Sequence, residues 1–243
     1  MVVIGNEILE FETVASTNDI AWQFHGDSSR HGLVVQANYQ SAGRGQRGNR
    51  WVAPPNSCLM MSILLHHHPG FAESYQYTLW AALSICHLVH ELTGREPHLK
   101  WPNDVLMDGK KLSGILVERR GDWIVVGIGL NVAISEQEFL QAQLKATSLN
   151  HYLRHPLTPK SVLPKTLTIL DANYQLITQG HWQTMQSAWQ HYSQLMNHHV
   201  ELQSSGRKFV GHLFSLEWNK IVLQIDGKYA SFHPGSVTSI RQL

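Results

Sequence analysis

Three glycines and three arginines crowd into Gly43-Arg44-Gly45-Gln46-Arg47-Gly48-Asn49-Arg50-Trp51. Glycine lets backbone approach a ligand closely. Arginine brings a permanently charged fork of donors that matches phosphate or carboxylate. Apolar runs at residues 33–35 and 59–65 flank the stretch, so the spacing predicts a cationic loop held between two strands and able to close over an anion. A solvated basic loop has the same composition, and such a motif alone does not decide between them.

Three other stretches could take part in the same chemistry. In Lys100-Trp101-Pro102-Asn103-Asp104 and the following Lys111-Leu112-Ser113-Gly114-Ile115-Leu116-Val117-Glu118, the intervening Asp108-Gly109 is a strong hairpin signal. A tight hairpin brings Asp104 and Lys111 near each other. The pair is either an ordinary exposed ion pair, worth little, or a metal-phosphate ligand beside a phosphate-binding lysine. Residues 123–132 read as a strand with Gly127, Gly129 and Asn131 on one face by period two. A flat ligand against that face explains all three residues, whereas a bulge explains only the glycines. Ser16-Thr17-Asn18 precedes a helical pattern over 20–25. Ser16 or Thr17 can be a simple N-cap, and the cluster can also grip a polar head group.

The elements that must position these residues are legible in outline. Residues 7–12 predict a short strand and 59–65 a buried one. Apolar spacing over 72–93, ended by Gly94, predicts an amphipathic helix. Helical patterns cover 135–146 and 160–196, with Pro164 expected in a first turn and Leu167, Leu170, Tyr174 and Ile177 as the apolar stripe. From about residue 197 the pattern changes to short strands at 200–203, 209–213, 221–225 and 229–232, which predicts a small appended barrel.

Composition narrows the function classes. With 43% hydrophobic and 15% charged residues over 243 positions, the chain can build a real core. A net charge of +1 gives no global attraction to nucleic acid or membrane. No apolar stretch reaches the ~18–20 residues of a membrane span. The N-terminus lacks the order of a secretory signal. Cys58 and Cys86 are too few for a disulfide framework and read as buried free thiols, which suits a cytoplasmic setting. Among sixteen histidines, the runs His66-His67-His68 and His198-His199 lack the spacing of a zinc site.

In order and spacing together, Ser16-Thr17-Asn18, the Gly43 to Trp51 loop, the Lys100 to Asp104 block with its Lys111 to Glu118 partner, and Gly127-Ile128-Gly129-Leu130-Asn131 closely resemble the biotin protein ligases. The resemblance implies an α+β catalytic domain over residues 1–195, a mixed sheet packed with helices of the class II synthetase-like biotin/lipoate ligase type. It implies a small SH3-like C-terminal β-barrel over residues 196–243. It implies ATP, Mg²⁺ and biotin as reactants, formation of biotinyl-5′-adenylate, and transfer to a lysine of the acceptor domain of a biotin-dependent carboxylase. By the same resemblance, Lys111 and Arg44 are the catalytic cations. Ser16, Thr17, Asn18, Gln40, Gly43, Arg44, Gly45, Gln46, Lys111, Gly114, Gly127 and Gly129 are expected at biotin. Arg44, Arg47, Trp51, Asn103, Lys111 and Asn131 are expected at the nucleotide, and Asp104 is the candidate Mg²⁺ ligand.

Two departures from the family pattern stand out. Gln46 occupies a position where the family often has a basic residue, which shifts retention of the intermediate toward Arg44 and Arg47. The catalytic pattern starts almost at Met1, without the helix-turn-helix that some relatives carry, so DNA binding is not expected. A homodimer is left open. The rival readings are a lipoate ligase or octanoyl transferase, which shares the fold but lacks the Lys-Trp-Pro-Asn-Asp block, and a non-catalytic nucleotide- or RNA-binding protein. The near-neutral charge argues against the last.

Overall fold

Chemistry-bearing loops need a stiff support, and the alternating apolar strands supply one. A computed structural model describes residues 2–243. Its main sheet has seven strands: β1 (Ile8–Val14), β2 (Val34–Gln40), β3 (Cys58–His66), β4 (His98–Lys100), β5 (Asp104–Met107), β6 (Lys110–Arg120) and β7 (Trp123–Asn131). Their order is β1-β2-β3-β7-β6-β5-β4. The β1–β2 pair is parallel and the rest are antiparallel, so the sheet is mixed as expected.

Period two divides this sheet between two environments. Met61, Ile63 and Leu65 of β3 and Ile124, Val126 and Ile128 of β7 face a large core shared with α2 (Ser74–Thr93), α4 (Pro159–Thr178) and α5 (Trp182–Ser193). The alternate residues Leu64 and Val125 face a smaller cluster built on Ala21 and Trp22 of α1 (Thr17–Trp22). The three long helices thus stabilise one face. The other is covered by α1 at one end, by α3 (Glu136–Gln141), whose Phe139 packs with Cys58 and Met60 of β3, at the other, and by loops.

Several elements depart from the sequence expectation. Ser16 occupies the N-cap position of α1, but its side chain makes no capping bond. Pro164 lies inside α4 rather than in its first turn. Thr158 and Ser161 form the capping box there, and Pro159 is the proline at the helix start. Strand β2 runs to Gln40, so the Gly/Arg loop proper begins after residue 40. Asp108 and Gly109 both have positive φ, 50° and 71°, as a two-residue hairpin turn requires.

The C-terminal strands are β8 (His199–Ser204), β9 (Arg207–Glu217), β10 (Lys220–Ile225), β11 (Lys228–Phe232) and β12 (Val237–Gln242). They form one antiparallel sheet in the order β11-β10-β9-β8-β12, consistent with an SH3-like fold though not closed into a barrel. Strand β12 was not anticipated. The inner face of this sheet is covered from the other part of the molecule instead of by strand closure. Trp101 stacks on Trp189 with centroids 5.1 Å apart, and its indole N–H donates to the Val237 carbonyl at 2.8 Å. The Tyr75 hydroxyl donates to the Trp218 carbonyl at 2.9 Å. One continuous core therefore runs through both sheets.

Candidate active site

The thinly covered face of the main sheet carries a cavity of about 330 Å³. Its floor is built by strand register. Residues directly opposite in antiparallel strands point to the same face, and Ser62 of β3 pairs with Gly127 of β7, while Gly114 of β6 pairs with Gly129. Asp104 of β5 pairs with Gly114 in turn. Polar or absent side chains at these positions leave a trough in an otherwise apolar sheet.

One end of the trough is a tight polar cluster. The Thr17 amide N–H donates to Gln40 Oε1 at 2.7 Å, and the Thr17 hydroxyl lies 3.0 Å from the same oxygen. The Ser62 hydroxyl, fully buried, lies 2.6 Å from both Thr17 Oγ1 and Asn18 Oδ1. Asn18 Nδ2 and Trp22 Nε1 donate to Glu118 Oε2 at 3.1 and 2.9 Å. Ser16 also lines the cavity. A β-carbon on Gly127 would stand 2.4 Å from Asn18 Oδ1, so glycine there is what lets Asn18 lie across β7.

Two residues along β7, a rise of roughly 7 Å, the neighbour changes to Trp51. A β-carbon on Gly129 would lie 2.5 Å from Trp51 Cε2. Where the sequence suggests a flat ligand against the two glycines, the structure puts the protein's own side chains, the indole over Gly129 and the Asn18 amide over Gly127. Lys111 completes this end. Its Nζ lies 2.6 Å from Asp104 Oδ1, 5.9 Å from the Trp51 ring centroid, and 3.1 Å from where a Gly114 β-carbon would be. Both Lys111 and Asp104 side chains are partly exposed to the cavity, at 37% and 20%.

The Gly/Arg loop forms the roof. It contains a short 3-10 turn, Gln46–Gly48, with Arg47 in the left-handed region at φ 56°. Trp51 N–H donates to the Gly43 carbonyl at 3.0 Å, pinning the loop's two ends together. Arg44 reaches α1 and pairs with both oxygens of Asp19, at 2.8 and 2.7 Å, and more loosely with Glu118 at 3.4 Å. That guanidinium holds the Asp19 carboxyl below its ordinary value of 3.8, and the Asp19 carboxylate raises Arg44. Arg47 donates to the Thr238 carbonyl of β12 at 2.8 Å, and Gln46 to the Ile115 carbonyl at 3.4 Å.

The expected residues gather unevenly. Ser16, Thr17, Asn18, Gln40, Arg44, Gly45, Gln46, Arg47, Trp51, Asn103, Asp104, Lys111, Gly114, Gly127 and Gly129 all line the cavity. Gly43 lines a neighbouring groove on the loop's other side. Asn131 departs from its expected place at the nucleotide. It lies outside the cavity wall, 5% exposed, with Nδ2 donating to the carbonyls of Lys111 at 3.3 Å and Thr147 at 3.0 Å. It holds the Lys111 backbone. Sequence reasoning gave no site role to Ser62, Asp19, Glu118 or the β12 residues Thr238 and Ser239. Glu118 closes the Lys111 to Glu118 block, and Ser62 left a signal as a polar residue inside an apolar strand that needs a buried partner.

Asp104 is the one carboxylate among the cavity-lining residues, and no group of three or more potential ligands that could hold a metal occurs among the described residues. Asp104 is the residue that would hold a Mg²⁺ ion here, since one protein carboxylate is enough for an ion otherwise bound by phosphate oxygens and water.

Comparison with known proteins agrees with the geometry. The model of the biotin/lipoate A/B protein ligase family matches residues 10–134. The bifunctional ligase/repressor BirA of Bacillus subtilis is 25% identical over 228 residues, covering 91% of this chain and 70% of that protein. The biotin--[acetyl-CoA-carboxylase] ligase of Mycobacterium tuberculosis is 32% identical over 131 residues, 52% of this chain and 49% of the relative. The solved structure of biotin protein ligase from Aquifex aeolicus in complex with biotin and ATP superposes with a TM-score of 0.82 at 26% identity, covering 98% of this chain and all of that one. The chain belongs to the biotin/lipoate A/B protein ligase family.

Proposed function

We propose that this protein is a biotin protein ligase, which activates biotin with ATP and transfers it to a lysine of an acceptor protein. One observation carries this reading: a single trough presents a hydroxyl and amide cluster at one end and a lysine beside a carboxylate at the other, under a roof that carries loop arginines. A ureido head group needs donors and acceptors together, which Ser16, Thr17, Asn18 and Gln40 offer. The valeryl chain then runs along the trough toward Lys111, beside the Asn18 amide and the Trp51 indole that cover Gly127 and Gly129.

Attack of the biotin carboxylate on the α-phosphorus brings two anions together, so fixed positive charge must meet the charge that develops. Lys111 sits where it can touch both groups, held from behind by Asn131 and from the side by Asp104. Pyrophosphate leaves as the P–O bond to the α-phosphorus breaks; Asp104 would help hold a Mg²⁺ ion brought by ATP, which would supply further positive charge. In the second step the acceptor lysine amine forms a C–N bond to the biotinyl carbonyl as the C–O bond to AMP breaks. The roof of Gly45, Gln46, Arg47 and Trp51 keeps water from the mixed anhydride. The acceptor domain of a biotin-dependent carboxylase is the proposed partner. No helix among the described residues is long and apolar enough to cross a membrane, and two buried free thiols suit the cytoplasm in which we place the protein.

The lipoate alternative is weaker because an acyl chain without a ureido ring leaves the Thr17, Gln40 and Ser62 cluster unused. ATP–pyrophosphate exchange with biotin, lipoate and octanoate supplied separately distinguishes these readings.

A further inference from the structure

Glu118 lies outside the cavity wall, yet it holds a residue that lines the cavity. It stands on β6 and takes the Asn18 amide and the Trp22 indole on a single oxygen, Oε2, at 3.1 and 2.9 Å. Its other oxygen meets Arg44 at 3.4 Å. A carboxamide has two unlike ends, one that only donates and one that only accepts, whereas an ionised carboxylate only accepts. The end of Asn18 that faces Glu118 must therefore be Nδ2, and Oδ1 must face the other way.

In that direction lies the polar cluster of the trough. Asn18 Oδ1, Ser62 Oγ, Thr17 Oγ1 and Gln40 Oε1 follow one another at 2.6, 2.6 and 3.0 Å. Oxygens this close each call for a proton between them, and the two hydroxyls bring only two protons to three contacts. The Thr17 amide N–H goes to Gln40 Oε1 and does not fill the gap. The cluster is one donor short. Ser62 is fully buried, but Asn18 and Thr17 line the cavity, so an N–H arriving there can supply it. With the Asn18 amide turned over, Nδ2 would donate to Ser62. Three contacts would then have three protons, and the cluster would ask nothing of a ligand.

Resting on the biotin ligase reading, we infer that Glu118 is a positioning residue for the biotin head group: by fixing which end of the Asn18 amide faces Ser62, it makes this end of the trough an acceptor for a ureido N–H. Glu118 acts without touching the ligand. The sense of one amide, set from behind by a charge, selects a head group that carries an N–H.

The test compares full-length wild type with Glu118→Met, which keeps the length and removes the acceptors, and Glu118→Gln, whose carbonyl still accepts from Asn18 and Trp22. Two N–H groups converge on one oxygen, so the Asn18 carboxamide and Trp22 indole protons of isotope-labelled wild type give a through-space NMR cross-peak. That cross-peak persists in Glu118→Gln and vanishes in Glu118→Met. In ATP–pyrophosphate exchange, Glu118→Met raises the KM for biotin about five- to tenfold, the scale of one lost hydrogen bond. The KM for ATP is unchanged, and Glu118→Gln stays near wild type. In an Asn18→Ala background Glu118→Met adds nothing, since both substitutions act through the same amide. No cross-peak in wild type, or one that survives in Glu118→Met, overturns the orientation of Asn18 by Glu118. A full further loss on top of Asn18→Ala, or an equal rise in both KM values, overturns the positioning role in favour of general packing. If wild type itself shows no biotin-dependent exchange, the biotin ligase reading fails, while the cross-peak still decides whether Glu118 orients Asn18.

Discussion

Gly129→Ala puts a single carbon where the structure has no room for one. The new β-carbon would lie 2.5 and 2.6 Å from Trp51 Cε2 and Cζ2, about an ångström inside ordinary carbon contact. The strand itself has no reason to suffer, since Gly129 is not among the positive-φ glycines. The indole must move, but its backbone is fixed to Gly43 and its ring is already 3.3 Å from the β-carbon position at Gly114. Relief therefore displaces Trp51 and the roof it anchors. Overpacking of this kind costs about 1–3 kcal/mol, or roughly 5- to 150-fold in a rate that needs the roof in place. The assay is ATP–pyrophosphate exchange with biotin, in wild-type and Trp51→Ala backgrounds. With the ring removed, Gly129→Ala is expected to cost almost nothing, because the two residues couple only through the clash. The same loss in both backgrounds, or no loss in the wild-type background, would refute this account of the cavity floor.

The other predictions address separate parts of the site. Lys111→Ala should lower exchange by about 100-fold or more, the scale of losing a charge aimed at a developing anion. Lys111→Arg should not restore it, because a planar guanidinium does not fit the space that Gly114 leaves for an ammonium; near-normal exchange in either variant would sink the proposed role. Ser62→Ala removes the hydroxyl shared by Thr17 and Asn18, and should raise the KM for biotin by roughly 5- to 10-fold with the KM for ATP unchanged. An equal rise in both would mean a general loss of packing instead. Burial pushes the Cys58 thiol up to about 12, and Cys86, wholly buried, is also pushed up. Neither should react with a thiol reagent at pH 8 in the folded protein, since thiolate is the reactive form, and both should titrate after denaturation. Rapid titration of either in the native state would contradict their placement.

Much of this site was legible because its key contacts are local or repeat a period. The hairpin at Asp108-Gly109 brought Lys111 to Asp104, and alternation along 123–131 put Gly127 and Gly129 on one face. What sequence could not give was register between distant strands. Ser62 meets Gly127 only because β3 and β7 pair in one alignment, and Asp19 meets Arg44 only after the roof folds back over α1. Asn131 has the right period for the glycine face, but its amide turns to the carbonyls of Lys111 and Thr147, a buried demand that spacing does not reveal. Strand β12 escaped notice because its short stretch is mostly polar, and its place depends on pairing with β8. The open C-terminal sheet, in turn, follows from Trp101, Trp189 and Tyr75 covering its inner face.

The most direct test of the central claim is ATP–pyrophosphate exchange by the purified protein with biotin, lipoate or octanoate as the only acid. Exchange that depends on biotin, and is absent with the two acyl chains, is the predicted result, since only biotin carries a head group for the Thr17 and Gln40 cluster. Exchange supported by lipoate or octanoate instead, or by no acid from folded protein, would contradict it.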